Sequence, residues 1–152
     1  MKIIKLLFLV LLFSLTSCNE NYYDGNVHYF SSHQFHRVDE NVFIINSKDM
    51  LEEYLLMDTY NELNVLYDTF NEEYFNNNSI IIIHIVESSG SNSLKVKSFE
   101  INAGLLDIIV RRNTPGPGMA GTCDIKYHHI IVETTKEEAL SIKDYNLKIV
   151  QR

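Results

Sequence analysis

Ile80-Ile81-Ile82-Ile83-His84-Ile85-Val86 is the stretch that decides the fold. Seven residues of this kind, nearly all β-branched and without polar alternation, are what a central strand needs when both of its faces are covered. Asn76-Asn77-Asn78 precedes the run and Ser88-Ser89-Gly90-Ser91-Asn92 follows it, so turns bound it on both sides.

Downstream the pattern stays β. Leu94–Ile101 alternates, but Leu94 and Val96 fall on even positions while Phe99 and Ile101 fall on odd ones. A bulge near Ser98 reconciles the two parities. Asn102-Ala103-Gly104 predicts a hairpin turn. Beyond it Leu106, Ile108 and Val110 share one face, with Asp107 and Arg111 on the other. Asn113–Thr122 holds both prolines and three of the six glycines, which predicts a long loop. A strand over Ile125–Glu133, a helical turn over Lys136–Leu140 and a last strand over Asn146–Val150 complete the chain.

Upstream, Val42–Ile45 predicts a short strand. Ser47 is placed to cap a helix with Asp49 in its first turn and Met50, Leu51, Tyr54 and Leu55 in one apolar stripe. A second helical piece is expected over Glu62–Tyr67, and a single turn over Glu72–Phe75 capped by Asn71. The expectation is an α+β domain, an antiparallel β-meander sheet with one or two short helices packed on one face.

The amino terminus is of another character. Lys2 and Lys5 precede an apolar run from Leu6 to Phe13, which is far shorter than the ~20 residues a membrane-spanning helix needs. A basic start, a short apolar core and small residues mark an export signal. Leu15-Thr16-Ser17-Cys18 resembles the bacterial lipobox, which implies a lipid on Cys18 and cleavage before it. More than one acyl chain makes such an anchor stable. The expected organisation is a signal peptide over 1–17, a lipidated tether over 18–32 and one domain over 33–152. The expected location is the extracytoplasmic face of a cell membrane.

Removal of Lys2 and Lys5 from the 13 basic residues leaves 11 against 20 acidic ones, a balance of −9. That balance argues against nucleic acid, which selects basic surfaces, and against flat adhesion to anionic lipid. With Cys18 lipidated, Cys123 is the one remaining cysteine, so neither a disulfide scaffold nor a zinc ribbon can form.

Three constellations have chemical potential. Cys123 lies five residues before His128-His129, so a thiol nucleophile with an imidazole base is conceivable, although no local signature of a cysteine hydrolase accompanies it. The plain alternative is a small residue at a loop-to-strand junction. His28, His33 and His36, with Asp24 and Asp39 nearby, offer imidazole ligands for a metal, though their spacing matches no rigid site. His84, inside the isoleucine run, is expected to be a core histidine hydrogen-bonded to a neighbour. Glu72-Glu73 is a solvated pair, and Pro115–Gly121 lacks the lysine-serine ending of a phosphate loop.

Several segments together resemble the PrcB C-terminal-like family of bacterial lipoproteins, named after a subunit of a surface protease complex. They are Tyr67–Phe75, Asn78-Ser79-Ile80, Ser88–Ser91, Val110-Arg111-Arg112, and Gly121-Thr122-Cys123-Asp124 through His129–Glu133. The likeness runs from about Val42 to Ala139. The chain departs from the family in having His128 where an aromatic residue, usually tryptophan, stands, and in a longer loop before Gly121. The resemblance implies a small α+β domain without catalytic residues, and a role beside an exported protease.

The leading expectation is therefore a non-enzymatic, lipid-anchored module, without cofactor, that binds another exported protein, with Arg111, Arg112, Pro115, Pro117 and Met119 as contact residues. A metal- or small-ligand-binding lipoprotein using His28, His33 and His36 is the alternative, and a thiol enzyme at Cys123 the third.

Overall fold

A computed structural model describes residues 22–35, 41–116, 121 and 123–151. Its order is β1 (Val27–Ser32), β2 (Val42–Ile45), α1 (Lys48–Leu55), α2 (Val65–Thr69), a 3₁₀ turn (Tyr74–Asn76), β3 (Asn78–Glu87), β4 (Ser93–Asn102), β5 (Leu105–Asn113), β6 (Lys126–Thr135), α3 (Lys136–Ser141) and β7 (Asp144–Gln151). The domain is α+β, as its sequence predicts.

The strands divide into two sheets rather than one meander. The first is antiparallel throughout, in the order β1-β6-β3-β2, and the second has the order β4-β5-β7. Here β4 and β5 form the expected hairpin, while β7 lies parallel to β5. The reason is the path of β6, which leaves its sequence neighbour and inserts between β1 and β3. The chain then returns through α3 to the far side of β5. Lys143 and Asp144 N–H groups donate to Gly104 O at 2.7 and 3.3 Å, fixing where β7 begins. Gly104 has φ +85°, and a Cβ there would stand 3.0 Å from Ser141 O, so the close return requires glycine. The predicted bulge is present as a register shift between Val96 and Ser98.

The isoleucine run is covered on both sides. Ile80 and Ile82 pack with Leu51, Tyr54, Leu55, Leu63, Leu66 and Phe70 from the helical layer. Ile81, Ile83 and Ile85 pack with Val96, Leu106, Ile108 and Val110 from the second sheet. Ser47 caps α1 as predicted, accepting from Met50 N–H at 3.3 Å, and Asn71 Oδ1 accepts from Tyr74 N–H at 2.9 Å. Thr135 and Glu138 form a reciprocal capping box on α3. Among the described residues no helix is long and apolar enough to cross a membrane.

The tether boundary at 32 is corrected. Val27–Ser32 pairs with Tyr127–Val132 as the outer strand of the first sheet, and Tyr23 N–H donates to Val96 O at 3.3 Å. The physical cause is that β6 would otherwise present an unpaired edge on the side away from β3. Residues 18–21, with Cys18, lie outside the described residues.

Two-sided burial makes a specific prediction for urea unfolding. Ile81→Ala and Ile82→Ala, on opposite faces, are each expected to cost about 2–5 kcal/mol. Val86→Ala, at the half-exposed end of the strand, is expected to cost under about 1 kcal/mol. A cheap Ile81→Ala would mean that the second sheet does not cover that face.

Candidate functional site

The strand order leaves β2 at one edge of the first sheet. Its backbone phase follows from one bond: His84 N–H donates to Asn41 O at 2.8 Å. Antiparallel residues alternate between hydrogen-bonded and non-bonded pairs, so Phe43 and Ile45 direct their backbone groups at β3. Val42 and Ile44 therefore direct their N–H and C=O groups away from the sheet.

They face a groove of about 360 Å³. Met50, Glu53, Tyr54 and Met57 of α1 and its exit form one wall, and Ile142–Tyr145, between α3 and β7, form the other. Val42 and Ile45 are buried, and Phe43 and Ile44 are half-buried, so the strand is recessed between its walls. The groove combines apolar side chains, backbone donors and acceptors that no described strand pairs with, and charges at its rim from Glu53, Lys143 and Asp144.

Tyr54 connects the groove to a polar network in the core. Its hydroxyl is hydrogen-bonded to His129 Nδ1 at 2.7 Å, and His129 Nε2 is hydrogen-bonded to Ser32 Oγ at 2.9 Å. A neutral imidazole has one donor and one acceptor nitrogen, so this ring is fully used. Burial pushes the Tyr54 phenol well above its ordinary value. Burial, followed by the neighbouring His84 and His128, brings His129 down to about 3.

His84 is different. It is a core residue, 2% exposed, but the expected hydrogen bond is absent: among the described residues neither ring nitrogen has a partner. It is surrounded by rings instead, stacked on Tyr127 at 5.9 Å and tilted against Phe35 and His129 at 4.8 and 5.2 Å. Burial brings its pKa down to about 4.

The residues proposed from sequence are distributed elsewhere. Arg111 is 7% exposed. Arg112 donates through Nε and Nη2 to Glu87 Oε1 at 2.9 and 2.6 Å, while Asn92 Nδ2 donates to Glu87 Oε2 at 2.8 Å. Glu87 belongs to the first sheet and Arg112 to the second, so the ion pair clamps the two sheets together. Arg111 is thus nearly withdrawn from the surface, and Arg112, partly exposed, is held in the ion pair. Pro115 is half-buried, and Pro117 and Met119 lie outside the described residues.

His28 Nε2 meets Glu133 Oε1 at 2.7 Å, and His33 Nδ1 meets Glu62 Oε1 at 2.7 Å. The two histidines are therefore held by different carboxylates and are not gathered together; His36 lies outside the described residues. Among the described residues no group of three or more His, Cys, Asp or Glu is placed to hold a metal ion. Cys123 is exposed and unpaired, whereas His129 is fully buried and uses both nitrogens within the core. His128 Nε2 is buried as well. His129 is therefore withheld from that thiol, while His128 as a whole is half-buried.

Sequence reasoning missed the groove because only the strand order makes β2 an edge. The signal available was the shortness of Val42–Ile45 beside a helix.

The two core histidines give opposite expectations at pH 7. His129→Leu leaves two buried hydroxyls without a partner and is expected to cost about 2–4 kcal/mol. His84→Leu, close in volume and losing no hydrogen bond, is expected to change stability by under about 1 kcal/mol. Both folded-state pKa values lie below the ordinary 6.5, so the unfolded chain takes up the protons first. Stability should be whole above pH 6.5 and fall with acidification toward about 4 for His84 and about 3 for His129. His84→Leu should flatten that fall in urea titrations at stepped pH. Arg112→Ala, which leaves the buried Glu87 carboxylate without its guanidinium, should cost about 3 kcal/mol. Neither a protein-family model, nor a curated protein, nor a solved structure matches the chain.

Proposed function

We propose that the protein is a lipid-anchored, non-enzymatic interaction module on the extracytoplasmic face of a membrane, docking another exported protein in the groove beside β2. The observation that carries this reading is the groove itself: a recessed, apolar channel floored by a strand whose outer backbone groups have no partner strand among the described residues. Grooves of this composition suit a polypeptide, which supplies apolar side chains and backbone hydrogen bonds together. The lipobox-like Leu15-Thr16-Ser17-Cys18 supports the location, since lipid on Cys18 would hold the domain at the membrane surface. The resemblance to the PrcB C-terminal-like lipoproteins supports a protease as the partner.

The test is photocrosslinking on intact cells, with a photoreactive amino acid at Met57 on the groove wall and a control at exposed Glu100 on the second sheet. A discrete adduct with one exported protein from position 57, absent from position 100, is expected. Cys18→Ala should move the chain out of the membrane fraction and reduce that adduct. Equal or no crosslinking from both positions would overturn the reading.

A further inference from the structure

We propose that the partner enters the groove as an extended segment that adds to β2 as a fifth, antiparallel strand of the first sheet, with apolar residues alternating with lysine or arginine. This deepens the interaction reading and rests on it.

The backbone argument comes first. Val42 and Ile44 each offer one N–H and one C=O outward, two residues apart, which is the repeat of an antiparallel ladder. Every pairing already in this sheet is antiparallel, so a further strand of that sense continues the existing twist and spacing. Partner residues directly opposite Val42 and Ile44 place their side chains on the same face as those two residues. That is the face of the second sheet, where Ile142 and Tyr145 line the groove and a short apolar side chain fits.

Intervening partner residues project to the α1 side, against Phe43, Met50 and Met57, with Glu53 at the rim. A long basic side chain meets both demands there. Its methylene stem covers the methionines, and its charged head reaches the carboxylate and water. Across the groove Lys143 and Asp144 oppose each other in sign, so Glu53 sets the balance within a chain of net charge −7. Acidic intervening residues would face Glu53 and the field of the whole molecule.

Recession selects the kind of occupant. A second copy of this chain carries its own β2 between the same two walls, so the walls of both copies oppose the approach of two such strands. An unstructured or extended segment brings no such walls.

The probe is an acetylated, amidated octapeptide of alternating valine and lysine, titrated into the mature chain and followed by amide NMR and hydrogen exchange. In the free protein the Val42 and Ile44 amides should exchange faster than those of Phe43 and Ile45. Binding should protect Val42 and Ile44 specifically. N-methylation of the valines removes the donors that face β2 and should weaken binding about tenfold or more, whereas N-methylation of the lysines should change it by less than about threefold. Replacing lysine by glutamate should weaken binding about tenfold, and Glu53→Gln should narrow that difference. Slow exchange at Val42 and Ile44 in the free chain, failure of the peptide to bind at about 1 mM, or equal effects of the two N-methylated peptides would each overturn strand addition. Selective crosslinking from position 57 combined with indifference to N-methylation would leave the interaction module standing and remove only this mode of entry.

Discussion

The structure depends on covering β3 from both sides. A strand of Ile80–Ile83, Ile85 and Val86 has no polar face, so it is stable only between two apolar layers. Its neighbour β6 shares the constraint, with Ile131 and His129 toward the helices and Ile130 and Val132 toward the second sheet. The remaining elements can be understood as cover for these two strands. The helices, each too short to be stable alone, close one face, and the β4-β5-β7 sheet closes the other. Glu87 and Arg112 then join the two sheets at one end, where a 3% exposed carboxylate would be costly without its guanidinium.

Polar groups inside this arrangement are of two kinds. Ser32, Tyr54 and His129 come from β1, α1 and β6, so their chain of hydrogen bonds requires all three elements to be in register at once. Satisfied polar networks of this sort favour one packing over near alternatives. His84 makes no such contribution. It lies directly across from His129 in the β3–β6 ladder, inside a cage of rings in which it is stacked on Tyr127 and tilted against Phe35. Two histidines that are adjacent in space therefore differ in kind: one is a joint, the other a filler.

Much of the fold was legible because it is written in local signals. The Ser47 and Asn71 caps, the Ala103-Gly104 turn and the parity change at Ser98 are properties of neighbouring residues, and each is found where the sequence puts it. What could not be read is long-range. Val27-His28-Tyr29-Phe30 is a β-type run, but its polar surroundings resemble a tether until β6 is known to need an outer partner. The parallel β7 depends on β6 having left the second sheet. Arg111 and Arg112 looked like surface contacts because alternation says which side a residue faces, not what covers that side. The groove is of the same type: strand order, rather than any motif, creates it.

An edge strand of four apolar residues is ordinarily a hazard, because unpaired backbone groups invite any other edge to join. This protein does not blunt β2 with proline, lysine or a bulge. It sinks the strand instead, between α1 and the 142–145 segment. That solution has a consequence that charge or proline would not have. Recession disfavours sheet edges, which are bulky and flanked by their own neighbours, more than it disfavours a single extended chain approaching Val42 and Ile44. Protection by recession is thus also selection by shape. Glu53, at the rim of the same groove, adds a second filter by sign.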